Sequence, residues 1–506
     1  MNFYHTRCRL VQAGVALAAI ALVAGCGNNY RPTVVPISAS GPPAQVTSYA
    51  IVVSSTSTSA QGNATIIDYS GDSIMATAPI GPGPTAFTVS LGGSNGYTYN
   101  SDGTLSQFPI SSNLQQKLVL SSTIPSTAHL VNLFSPTAGL WAADLCGLDT
   151  TSAPCPLPWD TDPLTMNYSD MDVFIGNPLT PIYNIPLAPT PVMLVGGSSG
   201  GRYFAISQGS NSNPANLEPG NVSSAVACNA SPSTVGVNGT VTGVESSNYS
   251  TDPPIWVGYC PVYAMESADG SRLFVLNRGS DTISVINTSN NTLDDNCPAT
   301  NQAGQKINCP VNGTLQLPAG SGPVYAEYNS ATNQLIVANY DGGTISVIDT
   351  SLDQYGNDSP TFGTTFTIPV GNNPASVTVL YDGSRAYTAN QTDQTVTIVN
   401  LSSHTVEKTL PVTGHPRTVV STQNSTQGKV YVAAPDSDIL TIIRTDYDIV
   451  DTVLPMVGNI VDVRVSTQNG TGGTINDVSR VPGFGQPCNS PGTAATASLA
   501  ACQALQ

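Results

Sequence analysis

A repeated phrase in the second half of the chain constrains the fold more than any other feature. Its clearest copy runs from Pro261 to Asn287 and contains the strand-like runs LFVLN and TISVIN, separated by a turn. Further copies begin at Pro323, Pro374 and Pro416 and keep the same order. Apolar runs rich in β-branched residues, bounded by Gly, Asn and Asp, are typical of β-strands. The repeats therefore predict an all-β protein built from similar units.

The spacing of the copies indicates the size of one unit. The second strand ends at Asn277, Asn339, Asn390 and Ala434, so successive copies lie 62, 51 and 44 residues apart. The shortest interval approaches the about 40–45 residues of a four-stranded propeller blade, and the excess lies in insertions. One such unit cannot bury both of its faces, whereas a closed ring of units can. We therefore expect a β-propeller of four-stranded blades.

The two ends of the chain are expected to complete one blade. Three strand-like runs between Tyr49 and Ile80 have the order of the last three strands of a blade whose first strand is missing. The final run IVDVRVS, from Ile460 to Ser466, can supply that strand and close the ring. With this composite blade the count is eight, and seven remains the alternative because two early units are irregular.

The N-terminus has the pattern of a secretory leader. Arg7 and Arg9 precede an apolar run from Val11 to Ala24, which is shorter than the about 20 residues of a spanning helix. The run ends in LVAGC, which resembles the lipobox of bacterial lipoproteins. The residues of this resemblance are Leu22, Val23, Ala24, Gly25 and Cys26.

The lipobox resemblance implies where the protein is located. It implies cleavage before Cys26 and lipidation of its thiol, which anchors the protein to a membrane. Because Gly27 rather than Asp follows the cysteine, the resemblance also implies sorting to the outer membrane of a bacterial cell envelope. Four segments are then expected: a leader, 1–25, a flexible tether, 26–47, a propeller, 48–469, and a Gly/Pro/Ala-rich tail, 470–506.

The charge of the chain argues against one class of partner. Only 9% of residues are charged and the formal net charge is −17, which becomes −19 when the leader takes away two arginines and no acidic residue. Nucleic-acid binding requires a basic surface that meets phosphates, and the sequence has no basic cluster. We therefore expect no nucleic-acid partner.

The cysteines predict disulfide bonds. Eight remain after cleavage and lipidation, an even number that is typical of proteins in an oxidising compartment. Because eight cysteines allow about 105 connectivities, only the pairs at 146–155 and 297–309 are specific predictions. The absence of a CxxC motif counts against zinc or thioredoxin-like chemistry. Pairing by sequence neighbours gives Cys146–Cys155, Cys228–Cys260, Cys297–Cys309 and Cys488–Cys502.

Residues from about 260 to 446 resemble the YVTN-type β-propeller repeat, a relative of the WD40, lactonase and nitrous oxide reductase propellers. The resemblance rests on the leading proline, an Asp-Gly turn, a strand ending in Val-Ala-Asn and a strand similar to Ser-Val-Ile-Asp. The turn is present as Asp269-Gly270 and Asp382-Gly383. The departures are Ala434 in place of Asn, and the segments 330–333 and 424–428 in place of the turn.

The periodic polar residues have two interpretations. They could contact a ligand or calcium, but a residue that recurs with the repeat is better explained by its role in the repeat, since Asn and Asp stabilise tight turns. The residues are Asn277, Asn339 and Asn390 at the strand ends, and Asp281, Asp341, Asp393 and Asp438 in the turns that follow.

Three other residues are candidates for binding at the mouth of the central channel. Glu327, one of five glutamates, lies on a predicted innermost strand, while His415 and Arg417 precede another. The alternative is that they are solvated charges of the rim. The tryptophans indicate either a platform for a protein or glycan or the packing of insertions; they are Trp141, Trp159 and Trp256.

No catalytic motif is present in the sequence. Three histidines remain outside the leader, no G-x-S-x-G elbow occurs, and the GGSSGG run at 196–201 lacks the lysine of a phosphate-binding loop. We therefore expect a non-enzymatic binding scaffold at the envelope, with an unknown protein or glycan ligand and no cofactor, calcium being the one possible metal. The alternatives are a lactonase-like propeller enzyme with a metal in its channel and a structural component of the envelope.

Overall fold

The computed structural model describes residues 49–68, 71–111, 119–124, 130–136, 139–144, 170–188, 191–196, 201–208, 238–294, 313–354, 356, 358–422 and 428–466. The chain divides into two units, Met1–Val46 and Thr47–Gln506, and the described residues all belong to the second. The predicted leader, tether and lipidated Cys26 therefore lie outside the described part, as does the whole of the predicted tail. Among the described residues, no helix has the length and apolar character needed to cross a membrane.

The described residues form 33 β-strands and no helix. The first fifteen strands are β1 (Tyr49–Ser55), β2 (Gln61–Asp68), β3 (Ser73–Pro82), β4 (Pro84–Val89), β5 (Asn95–Asn100), β6 (Thr104–Pro109), β7 (Leu120–Thr123), β8 (Leu130–Phe134), β9 (Leu140–Asp144), β10 (Asp170–Ile175), β11 (Thr180–Pro186), β12 (Pro191–Gly196), β13 (Arg202–Ser207), β14 (Asn238–Glu245) and β15 (Ile255–Tyr259).

The remaining strands are β16 (Pro261–Glu266), β17 (Arg272–Asn277), β18 (Thr282–Asn287), β19 (Thr292–Leu293), β20 (Thr314–Gln316), β21 (Pro323–Asn329), β22 (Gln334–Asn339), β23 (Thr344–Asp349), β24 (Thr365–Pro369), β25 (Pro374–Val379), β26 (Arg385–Asn390), β27 (Thr395–Asn400), β28 (Thr405–Pro411), β29 (Thr418–Ser421), β30 (Lys429–Ala433), β31 (Ile439–Arg444), β32 (Ile449–Pro455) and β33 (Asn459–Val465).

These strands form eight antiparallel sheets, which are the blades of a β-propeller. Blade 1 has the order β33-β1-β2-β3, and blades 2 to 8 begin with β4, β8, β12, β16, β21, β25 and β29. Each of these first strands contacts the first strand of the next blade, and β33 contacts both β29 and β4. The first strands therefore form a closed inner ring, which confirms the predicted propeller and decides for eight blades rather than seven.

The predicted pairing of the chain ends is also confirmed. Strand β33 pairs antiparallel with β1, with Val463 opposite Val52 and Val465 opposite Ala50. All four side chains are buried, since both strands are apolar on the faces that meet neighbouring blades. The last strand therefore becomes the innermost strand of the blade that the first strands begin.

The apolar core lies between the blades. Each of the hydrophobic clusters takes side chains from at least two neighbouring blades. Between blades 5 and 6, for example, the rings of Tyr263 and Tyr325 lie 4.6 Å apart, and those of Phe274 and Tyr328 lie 6.3 Å apart. Burial of one large apolar side chain contributes about 1.5–3 kcal/mol, so each blade is stabilised mainly by its neighbours.

The Asp-Gly turn of the repeat has a simple backbone explanation. Gly270 and Gly383 both have a φ of +68°, in the left-handed region that glycine adopts at little cost. The Asp269 carboxylate accepts a hydrogen bond from the Ser271 amide at 3.0 Å, which stabilises the turn. In blade 6, where the sequence departs from Asp-Gly, Asn333 adopts the left-handed conformation with a φ of +53°.

Candidate functional site

Each inner strand carries a β-bulge near its start. In blade 8 the amide of Arg417 donates to the Ala433 carbonyl, while the next residue, Thr418, is also paired with Ala433. Arg417 is therefore the bulge residue of this blade, and it is the one charged residue among the eight. Bulges redirect side chains and are frequent beside binding sites. The other bulge residues are Thr85, Val131, Val192, Val262, Val324, Ala375 and Val461.

Arg417 lies beside two charged residues of the ring-closing strand, Asp462 and Arg464. Arg417 Nη2 donates to the Val461 carbonyl at 2.6 Å. Arg464 Nε donates to Asp462 Oδ2 at 2.8 Å, and Thr418 Oγ1 donates to Asp462 Oδ1 at 2.9 Å. These contacts join the inner strands of blades 8 and 1. We define Arg417, Asp462 and Arg464 as the axial charge cluster.

The axial charge cluster has an excess of positive charge in a buried position. Arg417, Asp462 and Arg464 are 6%, 0% and 1% exposed. Burial lowers the pKa of Arg417, an effect that Asp462 opposes and Arg464 strengthens. Burial also raises the pKa of Asp462, against the influence of both arginines. With two guanidinium groups and one carboxylate, the cluster is one negative charge short of neutrality.

Two buried nitrogen atoms of the cluster make no hydrogen bond within the described residues, although one of them, Arg464 Nη2, lies 2.8 Å from Asp462 Oδ2. Arg417 Nε is buried and has no hydrogen-bond partner among the described residues. A buried donor without an acceptor costs about 1–3 kcal/mol, and more when it belongs to a charged group. Such atoms in a folded protein call for an explanation such as a bound water or ion.

Hydroxyl groups of blade 7 hold the backbone around Arg417. Ser376 Oγ donates to the Arg417 carbonyl at 2.8 Å and accepts from the Val419 amide at 3.2 Å. Two residues further along the same strand, Thr378 Oγ1 accepts a hydrogen bond from the Ser421 amide at 3.1 Å. Strand β29 is thus bonded through side chains on both sides, to blade 7 and to blade 1, and the position of Arg417 is well defined.

The structure places the predicted residue His415 in different surroundings. Its side chain is 49% exposed, and Nδ1 lies 2.6 Å from Asp436 Oδ2, while its amide donates to Asp436 Oδ1 at 2.8 Å. Burial pushes the pKa of Asp436 up, but the hydrogen bonds from His415 outweigh this and leave that pKa below its usual value. His415 therefore braces the loop before β29, and Arg417 alone of this pair contributes to the axial charge cluster.

Glu327 lies on an innermost strand, β21, as the sequence predicts. It is 8% exposed and stands three residues after the bulge residue Val324, as Arg464 stands three residues after Val461. Blades 7 and 8 separate the two strands, and the charged groups that act on Arg417 do not include Glu327. The role of Glu327 in binding stays a prediction.

Asp462 and Arg464 were not among the candidates from the sequence. The signal that could have found them is their position in the run IVDVRVS, where two charged residues alternate with apolar ones. A strand required to close the ring is an inner strand, and charged residues are seldom fully buried unless they are paired. The pattern was therefore sufficient to flag an ion pair, but not to show that Arg417 joins it.

The periodic asparagines serve the repeat, as expected, but for a different reason. Asn339 Nδ2 lies 3.0 Å from Thr344 Oγ1 and 2.9 Å from Ser346 Oγ, both on the next strand. These asparagines do not adopt the left-handed conformation, so the expectation based on tight turns is corrected. The amide joins two strands of one blade. The same pair of bonds is made by Asn100, Asn277 and Asn390.

The turn aspartates hold neighbouring loops. Asp281 accepts hydrogen bonds from the amides of Gly320 and Gly322, each at 2.7 Å. In blade 8 the equivalent contact, to the amide of His415, is made by Asp436 rather than by the predicted Asp438. Similar contacts to side chains or amides of a neighbouring loop are made by Asp341 and Asp393.

The tryptophans do not form one surface in the described part of the chain. Trp141 is 4% exposed, and its ring lies 4.5 Å from that of Tyr203 in the next blade. Trp256 is 37% exposed on the edge strand β15. Trp159 lies outside the described residues. Trp141 therefore packs a blade interface, and Trp256 keeps the platform interpretation open.

The predictions about metals and disulfides are mostly outside what the structure describes. Within the described residues, no group of three or more His, Cys, Asp or Glu side chains is arranged to hold a metal ion. Cys260 is disulfide-bonded, and all the other cysteines lie outside the described residues. The pairing of Cys260 with Cys228 therefore stays a prediction, as do the other three pairs.

Comparison with known proteins shows the fold. No protein-family model matches the sequence, and no curated protein matches it in sequence. The dihydro-haem d1 dehydrogenase NirN has a TM-score of 0.51 at 13% identity, with 85% of this chain and 76% of that chain covered. AztD of Citrobacter koseri has a TM-score of 0.50 at 10% identity, with coverages of 84% and 99%. A Bacteroides fragilis protein named as a 6-phosphogluconolactonase has a TM-score of 0.48 at 14% identity, with coverages of 84% and 99%. The chain is thus an eight-bladed β-propeller, and identities this low carry no activity over to it.

The expectation that the chain is not an enzyme has to be corrected. Similar structures include proteins named as 6-phosphogluconolactonase and as gluconolactonase, at 11–14% identity. The expectation rested on the absence of a Ser-His-Asp arrangement and of a nucleophile elbow, which are signatures of other folds. A missing motif of that kind therefore does not mark a propeller as non-enzymatic.

Proposed function

We propose that the protein binds a small organic anion, of the class of sugar acids and other carboxylates, at the axial charge cluster. The observation that supports this proposal is the excess positive charge of Arg417 and Arg464 over Asp462 in a buried position. A carboxylate matches the planar guanidinium group and supplies the missing negative charge. It also supplies an acceptor for Arg417 Nε, which has no partner among the described residues.

The place of the cluster gives the ligand a second effect. Arg417 belongs to blade 8 and Arg464 to blade 1, so an anion between them joins the two blades at which the ring closes. A ligand that binds only the folded protein stabilises it in proportion to its occupancy. Ligand binding is therefore expected to raise the unfolding temperature as well as to give a calorimetric signal.

Isothermal calorimetry with gluconate, acetate and inorganic phosphate as probes tests the proposal. The Arg417→Gln variant keeps a polar side chain without charge and is expected to weaken carboxylate binding at least about tenfold, because a charge-assisted hydrogen bond is lost. Arg444→Gln is the matched control, since Arg444 is 41% exposed and pairs with Asp446. The proposal fails if none of the probes binds the folded protein, or if Arg417→Gln binds them as the wild type does.

Lactone hydrolysis is a second candidate function, which one feature of the same cluster favours. Asp462 has a pKa that burial raises, and it stands beside two arginines that would hold a carboxylate product. A carboxylate with a raised pKa is better suited to accept a proton from attacking water. Incubation with glucono-lactone tests this: hydrolysis above the spontaneous rate, abolished in Asp462→Asn but kept in Arg444→Gln, is the expected result for an enzyme.

We propose that this function is exercised outside the cytoplasm, at the bacterial envelope, and the predicted leader supports this. Lipidation of Cys26 is proposed as the anchor, and Cys26→Ala is expected to move the protein from the membrane to the soluble fraction. Retention of Cys26→Ala in membranes would refute the anchor.

Metal binding in the channel, with Glu327 as a ligand, stays a prediction. Calorimetry with calcium chloride on the wild type and on Glu327→Gln checks it. A protein or glycan partner likewise stays a prediction.

A further inference from the structure

A neutral triad joins the second and third strands in four of the blades. In blade 5, Asn277 is paired in register with Thr282. Its amide nitrogen lies 3.2 Å from Thr282 Oγ1 and 3.0 Å from Ser284 Oγ. The amide nitrogen donates and the two hydroxyl groups accept, so these two bonds form without any charge. Blades 2, 6 and 7 repeat this arrangement.

Blade 3 has a carboxyl group at each of the three positions. Asp144 is the last residue of β9, just as Asn277 is the last residue of β17. Asp144 is paired in register with Asp170. Asp172 follows Asp170 by two residues, as Ser284 follows Thr282. The three residues are defined here as the blade 3 carboxyl cluster. An insertion places Asp144 and Asp170 26 positions apart in the chain, which hides the equivalence in the sequence.

The cluster is buried, and its member Asp172 lacks donors among the described residues. Asp144, Asp170 and Asp172 are 0%, 6% and 0% exposed. Neither oxygen of Asp172 receives a hydrogen bond from a donor group among the described residues. Its hydrogen-bonding neighbour is the Asp144 carboxyl group, and two carboxyl groups form a hydrogen bond only when one of them carries a proton.

The surroundings of Asp172 also favour a bound proton. Burial raises its pKa, and the charges of Asp144 and Asp170 raise it further; every charged group that acts on it is acidic. From blade 2, Tyr99 faces Asp144, and burial together with that carboxylate raises the pKa of Tyr99 to about 12. On the outer side, Asp172 is paired with the neutral Asn184 of β11. Among the described residues, the charges of Asp144 and Asp170 therefore add to the effect of burial on the pKa of Asp172 rather than oppose it.

We propose that the blade 3 carboxyl cluster is a proton-binding site that holds blade 3 together when Asp172 is protonated and loosens it when the proton leaves. A protonated Asp172 donates to Asp144 and so restores the bond between strands that Asn277 makes in blade 5. Ionisation removes that donor and leaves neighbouring carboxylates that repel one another. The site would make one blade of the propeller sensitive to alkaline pH, while blades with the neutral triad are not.

The direction of the pH effect follows from proton linkage. A buried acid whose pKa is raised on folding keeps its proton in the folded state at pH values where the unfolded chain has lost it. The folded state then binds more protons, so stability is greatest at acidic pH and falls as the pH rises toward the folded-state pKa. Each extra bound proton changes the folding equilibrium constant about tenfold per pH unit.

The test is to give blade 3 the triad of the other blades. The triple variant Asp144→Asn, Asp170→Thr, Asp172→Ser is compared with the full wild-type chain in chemical unfolding from about pH 5 to about pH 9, and by hydrogen exchange of β9 and β10. We expect the wild type to lose stability with rising pH relative to the variant, by up to about tenfold per pH unit, and its β9 and β10 amides to lose protection. Asp172→Asn, which keeps size and removes one titrating group, is the second variant if the triple variant does not fold.

Two outcomes would overturn the proposal. Equal pH dependence in the wild type and in either variant would show that the cluster does not take up a proton on folding. Calcium chloride that restores full wild-type stability at alkaline pH, without effect on the triple variant, would show a cation site instead. As a control for the blade, Asn277→Asp in blade 5 introduces one carboxylate next to hydroxyl groups and should destabilise the protein without creating a shared proton.

Discussion

The amide of Tyr49 donates to Ser466 Oγ at 2.7 Å, and the amide of Ser466 donates back to the Tyr49 carbonyl at 2.8 Å, although 417 positions separate the two residues. The bonds join the first and last strands in one sheet, so the edge of β1 that would otherwise face the axis unpaired is covered by β33. An open edge exposes backbone donors and acceptors, and β33 pairs with those of β1. The stability of the whole propeller therefore depends on β33, the last strand of the chain.

Removal of the closing strand is predicted to prevent stable folding. A chain that ends at Gly458 loses β33 and with it the inner strand of blade 1, the contacts to β29 and β4, and the axial charge cluster. We expect no cooperative thermal transition for this truncation, measured by circular dichroism. A chain that ends at residue 469 keeps every described strand and is the control. A cooperative transition at the wild-type temperature in the shorter chain would contradict the role of β33.

The asparagine that joins two strands is predicted to matter for stability. Asn339→Ala removes two hydrogen bonds, one partly buried to Thr344 and one buried to Ser346, each worth about 1 kcal/mol. We expect a loss of about 2 kcal/mol in the free energy of unfolding, measured in urea. Asn290→Ala is the control, because Asn290 is exposed in a turn and should change stability by less than about 0.5 kcal/mol. Equal effects of the two variants would rule out the proposed bond.

Breaking the ion pair on the closing strand is predicted to have a large effect. Asp462→Asn leaves Arg417 and Arg464 buried without a counter-charge, and removal of one partner of a buried pair costs about 3–5 kcal/mol. Differential scanning calorimetry measures the loss. Asp438→Asn, at an exposed turn of blade 8, is the matched control and should be nearly neutral. A loss of less than about 1 kcal/mol for Asp462→Asn would mean that the pair is not buried as described.

One buried carboxyl group is predicted to give pH-dependent stability in the acidic range. Burial raises the pKa of Asp358 to about 6, and the charge of Asp294 adds to this while Arg272 opposes it. The folded state keeps this proton longer than the unfolded chain, whose pKa is near 3.8, so the contribution is present at acidic pH and is lost as the pH rises toward about 6.

The Asp358→Asn variant isolates that contribution. Stability of the wild type relative to the variant should fall between about pH 4 and about pH 6, by at most about 1.4 kcal/mol per pH unit. Thermal unfolding at a series of pH values measures the difference. Parallel curves for the two proteins across this range would show that Asp358 has an ordinary pKa in the folded state.

The regular part of the fold could be predicted residue by residue. The run TISVIN coincides with β18, and the corresponding runs of the copies that begin at Pro323 and Pro374 are TISVID and TVTIVN, which coincide with β23 and β27. Local signals were sufficient there, because alternation and turn residues act over a few positions. The candidate site was predicted only in part. Arg417 was identified, but its neighbours Asp462 and Arg464 were not, since their contact depends on how two inner strands align.

The sequence by itself determined the four-stranded unit, its repetition and the pairing of the chain ends, because each of these follows from patterns carried within short segments. Only the tertiary structure decided between seven and eight blades, brought Arg417 to the closing strand and showed that Asp144 and Asp170 stand side by side. The physical reason is the same in each case. The relative register of segments that lie far apart in the chain is set by packing between strands and blades, and local sequence does not contain that register.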